Sequence, residues 1–223
     1  DYIGVEGINW QEEAFRPTWS QSHDVSIRGG VKSTQYLLSF SHYDKDGIFV
    51  NSSLAKDNAR LKLKQQIFKW LTLNATVDYA STRTTGVGTS GSVLGNILRY
   101  RPIGGYATSL YELRHNTEDV EASIDEPIFN ELVNISNTQH RKNTEKWSAN
   151  GSLTVNFSKF LSLRTAGSFS VQSTRTDKFY NNGTQLADRG SGPYGSSDYN
   201  KTLRWTVTNQ LSYRRTFQKK HKV

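Results

Sequence analysis

The chain has 223 residues, a net charge of +8 and an apolar fraction of 35%, below the roughly 45–50% of soluble globular domains. It has no cysteine, which excludes disulfides and thiolate metal sites. No run of about 18 apolar residues is present, which excludes a membrane-spanning helix, and aromatics at 12% argue against plain disorder.

The opening Asp1-Tyr-Ile-Gly-Val-Glu-Gly lacks a basic start and an apolar stretch, so no signal peptide is expected here. An export signal would have been removed or would lie upstream. Residues 1–20 read as loop, with a short helical turn at Trp10–Phe15. A first strand is expected over His23–Arg28, with Val25 and Ile27 on one face. After the turn at 29–33 a second follows over Thr34–Tyr43, with Tyr36, Leu38 and Phe40 aligned. Residues 44–56 read as a loop. Strands three and four are expected at about 57–67 and 71–84. Residues 85–141 form a long excursion with a short helix at Val93–Tyr100, stopped by Pro102. Strands five and six are expected at about 145–157 and 161–176. A Gly/Asn/Ser-rich loop occupies 177–199. A seventh strand covers Lys201–Tyr213, and Arg214–Lys222 reads as a turn.

Two of these hairpins are alike. Aligning Lys69-Trp70-Leu71 with Lys159-Phe160-Leu161 places Leu63 on Leu153, Ile67 on Phe157, Leu73 on Leu163 and Tyr79 on Phe169. Strand side chains alternate between two faces, so every arm has one apolar and one polar face. The apolar face is expected to carry Leu61, Leu63, Leu73, Val77, Leu153, Val155, Leu163, Leu203, Trp205 and Val207. The polar face is expected to carry Arg60, Lys62, Lys64, Asn74, Thr76, Asp78, Arg204 and Thr206. Connections alternate between short and long along the chain, as in outer-membrane barrels with tight periplasmic turns and long extracellular loops. Strands of about ten residues suit a tilted crossing. Aromatics near strand ends fit interfacial girdles: Tyr36, Trp70, Phe160 and Tyr213 at the short turns, Tyr79 and Trp147 at the long loops. The fold class is therefore all-β, an antiparallel transmembrane barrel segment of about seven strands. Since single-chain bacterial barrels have even strand numbers, the chain is expected to be a fragment of a larger barrel, with residues 1–223 belonging to one barrel domain.

No constellation points to catalysis or a cofactor. Gly86-Val-Gly-Thr-Ser-Gly91 matches the dinucleotide fingerprint, but the strand before it is amphipathic and no compact βαβ unit follows. Asp44-Lys-Asp-Gly47 starts like a calcium loop, yet its twelfth position is Ala55. The histidines at 23, 42, 115, 140 and 221 lack metal-ligand spacing. The acids Asp119, Glu121, Asp125, Glu126 and Glu131 read as a solvated loop rather than a glycosidase pair. No serine–histidine–aspartate pattern stands out. Basic residues alternate with apolar ones, without a dense run before Lys219, so nucleic acid is not the expected partner. Tyr100, Tyr106, Tyr111, Phe129 and Tyr194 lie in the long loops, where exposed aromatics can stack on sugars or pack on a partner protein. They are the candidate substrate or lid contacts.

Several passages resemble SusC/RagA-type TonB-dependent outer-membrane transporters. These are Ile8-Asn-Trp-Gln-Glu-Glu-Ala-Phe-Arg16, Gln21-Ser-His-Asp-Val-Ser-Ile-Arg-Gly-Gly30, Thr34–Ile48, Asn58-Ala-Arg-Leu-Lys-Leu63, Trp70-Leu-Thr-Leu73 and Leu211–Phe217. The likeness covers the framework strands and leaves out the loops 85–141 and 177–199. It implies a 22-stranded barrel with an internal plug in the outer membrane of a Gram-negative bacterium. It further implies a SusD-like surface lipoprotein as lid, the TonB–ExbB–ExbD complex as energy source, and import of a glycan or peptide. No plug or TonB box is present in these residues. The alternative is a passive porin or an adhesive surface barrel.

Overall fold

The computed structural model of the chain describes residues 7, 9–86, 91–99, 131–182, 184, 186, 187, 190–217, 221 and 222. Seven strands form one antiparallel sheet in chain order: β1 (Ser20–Val31), β2 (Thr34–Asp46), β3 (Ser53–Phe68), β4 (Leu71–Thr85), β5 (Thr138–Asn156), β6 (Leu161–Tyr180) and β7 (Tyr194–Tyr213). A small pair, β8 (Thr216–Phe217) and β9 (His221–Lys222), follows.

The short turns are tight because the ladders run nearly to their tips. Val31 pairs Thr34 across Lys32-Ser33, and Phe68 pairs Leu71 across Lys69-Trp70. Gly30, at φ +139°, has room for no Cβ: one would stand 2.1 Å from the Thr34 carbonyl oxygen. In the third turn the Ser158 hydroxyl accepts from the backbone N–H groups of Phe160 and Leu161, both at 3.1 Å. Each tip also accepts a bond from the strand that follows: Gln66 N–H to Ser33, Asn156 N–H to Trp70 and Arg214 N–H to Phe160. Buried backbone groups must be paired, and these bonds carry the pairing past the hairpin ends.

All seven strands exist, but several run further than expected. β3 begins at Ser53, β5 at Thr138 and β7 at Tyr194, and β6 continues to Tyr180. The expected loops 44–56 and 177–199 shrink to 47–52 and 181–193. Both faces of these extensions are hydrophilic, so the alternation that marks a strand disappears while the ladder continues. Threonines such as Thr82, Thr84, Thr144, Thr174 and Thr176 suit a strand without adding an apolar stripe.

The register sorts the side chains by face. Val25, Phe40, Ala59, Tyr79, Trp147, Val171 and Leu203 form one row across all seven strands. The next row toward the short turns is Ile27, Leu38, Leu61, Val77, Ala149, Phe169 and Trp205. Among the described residues no second layer covers these side chains: Trp205 is 69% exposed and Leu203 55%. An apolar surface of this extent is foreign to soluble monomers. Along β5 the apolar parity runs from Trp147 to Phe157, about 33 Å of strand, or about 25 Å of height at a tilt near 40°. That is the height of the apolar band on outer-membrane barrels.

Among the described residues a packed core exists only at the long-loop end. There α1 (Trp10–Ala14), α2 (Gly91–Arg99) and α3 (Glu131–Ser136) meet the 47–52 loop. Trp10, Ala14, Phe49, Ile97, Leu132 and Ile135 are buried together, with Val50 and Val93 packed on them. Asn9 caps α1, its side-chain oxygen accepting from the Gln11 N–H at 3.2 Å. The chain leaving α1 is tied down by Arg16 N–H to Ile48, by Val50 N–H to Ala14 and by an edge-on contact between the Phe15 and Phe49 rings. No helix among the described residues is long and apolar enough to cross a membrane.

Candidate functional site

The polar face is the candidate site. Every residue expected there shares one strand parity, and every residue expected on the apolar face shares the other. Ser26, Ser39, Arg60, Asp78, Ser148, Ser170 and Arg204 form a hydrophilic row across the seven strands. The sheet is concave on this side. One recess of about 640 Å3 is lined by Asp24, Ser41, Asn58, Arg60, Asp78 and Lys146, among others. A second, of about 340 Å3, is lined by Asn74, Thr76, Asn150, Arg164, Ser168 and Thr206. Arg60 donates through Nε to Asp78.

Basic residues dominate this face. Toward the long loops lie Lys45, Lys56, Lys142, Lys146 and Lys178. At mid-height stand Arg60 and Arg204, one row toward the short turns Arg28 and Lys62, and beyond them Lys64 and Arg164. Acids of the same parity on the described strands are Asp24, Asp78 and Asp198. His140 sits among Lys142 and Lys178 at the long-loop end, and its pKa is lowered from the usual histidine value. Burial is the main cause, followed by the charges of Lys178 and Lys142.

The apolar face ends abruptly. One row beyond the Tyr79–Trp147 row come His23, His42, Asp57, Ser81, Glu145, Ser173 and Lys201, all hydrophilic. This is a boundary between an apolar and an aqueous phase, with aromatics on the apolar side of it. The Tyr79 and Trp147 rings are 4.5 Å apart between centroids, as amphipathic rings at an interface require. At the short-turn end Phe68 stacks on Trp70 at 5.3 Å, and the Arg215 guanidinium covers Phe160 at 5.2 Å. Beyond the boundary the outward side chains form local ion pairs. His42 and Arg83 reach Asp57 at 2.6 and 3.1 Å. Asp177 accepts from Ser197 at 2.6 Å and Arg175 at 2.9 Å, which hold its carboxyl below the usual range.

The sequence treated His23 and His42 as scattered, but the register makes them cross-strand partners with rings 6.4 Å apart. Only the pairing register carries that signal. No group of three His, Asp or Glu able to hold a metal occurs among the described residues. Gly86 closes β4 and donates its N–H to His140 of the antiparallel β5; residues 87–90 of the glycine motif lie outside the described residues. Asp44 and Asp46 belong to β2, and Asp46 meets Arg16 at 3.9 Å.

Of the candidate contact residues, Tyr194 opens β7 at the long-loop end. It is 52% exposed, and its ring stacks on Tyr180 with 6.2 Å between centroids. Tyr100, Tyr106, Tyr111 and Phe129 lie outside the described residues, as do Asp119, Glu121, Asp125 and Glu126. Leu132, in α3, is committed to the loop core. That side chain is 5% exposed and packs with Ile97, Ile135 and Trp10.

Comparison with known proteins fits this geometry. No family model matches the chain. A stretch of 101 residues, 45% of the chain, is 29% identical to the TonB-dependent receptor SusC of Bacteroides thetaiotaomicron. The RagAB peptide transporter superposes with a TM-score of 0.74 over 97% of the chain at 18% identity. The RagAB peptide importer in its open-open state gives 0.73 over 97%, and in its closed-closed state 0.72 over 98%, both at 19% identity. The chain has the fold of a barrel segment of such transporters. It spans 10% of SusC and 24% of each RagAB chain it matches. The segment has its apolar face, its hydrophilic face and its loop platform on one continuous sheet.

Proposed function

We propose that this segment is wall and surface loop of a TonB-dependent importer of a large nutrient, a glycan or a peptide, in the outer membrane of a Gram-negative bacterium. The carrying observation is the division of one seven-stranded sheet into a lipid-height apolar face and a wet basic face, in a fold superposing on RagAB over 97% of the chain. In this assignment residues 1–223 form part of a single barrel of 22 strands. The plug and the TonB contact belong to the rest of the protein. The short turns are periplasmic. The long-loop end meets a SusD-like surface lipoprotein, with Tyr100, Tyr106, Tyr111, Phe129 and Tyr194 as contacts to the lid or substrate.

Uptake of fluorescent oligosaccharides and peptides by cells carrying the full-length protein tests this assignment. Uptake should stop when the proton gradient is collapsed or TonB is deleted. A passive porin would continue to fill the periplasm under either condition, and that result would overturn the assignment.

A further inference from the structure

The two faces differ in charge as well as in polarity. The luminal parity of the described strands carries eleven basic residues against three acids, as named above. The outward parity carries Arg83, Arg141, Arg175 and Lys201 against Asp44, Asp46, Asp57, Glu145 and Asp177. Both sets meet water, so a general need for solubility does not explain the difference. Pairing follows the same division. Outward Arg83 and Arg175 are held by Asp57 and Asp177, whereas on the luminal face only Arg60 has an acid partner in the described structure. Arg28, Lys62 and Lys64 line a recess of about 770 Å3 with Lys32, Asn74 and Thr76, and none of the four cations has an ion-pair partner among the described residues.

We infer that the luminal wall is a track for an anionic chain, so that the imported oligomer bears repeated carboxylates. This rests on the importer assignment and adds a substrate class to it. Unpaired cations on a concave wall focus an attractive potential and raise the local concentration of an oppositely charged ligand. Lys62 and Lys64 are two residues apart on one face, about 6.6 Å, which is also the repeat of alternate side chains on an extended peptide. Arg28 and Lys62 flank Leu37 in one row, about 10 Å apart. The basic residues run from Lys178 near the long loops to Lys64 near the short turns. A travelling ligand needs charge along its whole path. A docked acidic domain needs it only where it sits.

The test uses the purified full-length transporter and four probes: hexagalacturonate, hexaglutamate, and their neutral counterparts maltohexaose and hexaglutamine. At low salt at least one acidic probe should bind about tenfold or more tightly than its neutral counterpart, and the preference should fall as salt screens the wall. The sugar and peptide arms show which backbone carries the carboxylates. The triple variant R28Q/K62Q/K64Q should weaken acidic-probe binding about tenfold, and the outward pair R175Q/K201Q should leave it within about twofold. Heat-modifiable gel migration verifies that each variant is assembled. Equal binding of acidic and neutral probes overturns the inference. So does an assembled triple variant that binds acidic probes normally, including one that instead releases an acidic plug. Energised uptake with no acidic preference refutes the track and leaves the importer intact. Acidic binding without energised uptake does the reverse.

Discussion

Replacing Leu153 with Arg tests the assignment of the faces. Leu153 lies within the apolar run of β5, between Leu73 and Thr165 in its row, and is 38% exposed. That exposure leaves about 70 Å2 of apolar surface toward lipid, about 1.7 kcal/mol at 25 cal/mol per Å2. An arginine near the bilayer midplane costs a further 2–4 kcal/mol or so. The sum, about 4–6 kcal/mol, shifts the folding equilibrium by three to four orders of magnitude, a large part of the roughly 5–15 kcal/mol that holds a protein folded. The control is Asn150→Arg on the same strand. Its cross-strand neighbours are Thr76 and Ser168, both uncharged, and the side chain enters wet space, so the change should stay within about 1 kcal/mol. Folding of the full-length protein into liposomes, followed by urea titration and gel migration, measures both. Equal losses for the two variants would show that the faces are misassigned.

Other consequences can be measured separately. An epitope inserted near Ser123 should be reached by antibody on intact cells and one at Lys69 should not; the reverse labelling would invert the topology. Gly29→Ala should displace the half-exposed Tyr36 ring, because the new Cβ would stand 2.7 Å from its hydroxyl, at a cost within about 1 kcal/mol. Unchanged Tyr36 side-chain resonances in the variant would mean that Tyr36 does not lie over this glycine. His140 should titrate below the usual histidine value, and Lys178→Gln should raise its midpoint. Because its folded pKa is depressed, the unfolded chain takes up the proton first. His140 therefore destabilises as pH falls through its unfolded value near 6.5, and a stability that rises over that window would contradict the burial. Asn209 shares the outward parity of Val207 and Leu211, so Asn209→Leu should raise the urea midpoint; a lowered midpoint would indicate a polar neighbour on the lipid side.

The face assignment was legible in the sequence because membrane and lumen impose opposite chemistry on alternating residues. Leu61 and Lys62 declare their sides without any coordinates. The strand ends were not legible. Above the aromatic row both sides are aqueous, so Thr138–Arg141 and Tyr194–Tyr199 read as loop although the ladder continues through them. Side-chain neighbours from different strands were hidden for another reason. His23, His42 and Asp57 become a cluster only once β1, β2 and β3 are in register, and a one-residue slip would turn any of them to the other face. The helix after residue 90 was expected, but its burial against α1 was not. That contact joins segments some eighty residues apart, and Trp10 and Phe49 look like ordinary loop aromatics until Ile97 and Leu132 are set beside them.

That loop core bears on how the surface end can work. Leu132 and Ile135 are spent on Ile97, Trp10 and Phe49, so any lid or substrate must be met by other groups. Under the proposed assignment Tyr194 is the described residue suited to that role: it opens β7, is half exposed and rests on Tyr180 from the neighbouring strand. Two stacked rings on a ladder present a rigid amphipathic surface with little side-chain entropy left to lose, as stacking on a sugar or packing on a protein requires. His140, Lys142 and Lys178 share their face on the adjoining strands. Under the proposed import role, a ligand entering from the long-loop end would meet aromatic surface and positive charge together. Below them the wall offers charge and hydroxyls, as at Arg60, Lys62, Ser148 and Ser170. On the proposed import assignment, aromatic surface above and a wet cationic wall below would offer a ligand two kinds of contact in order, the lower ones diffuse charge attraction rather than a fitted pocket.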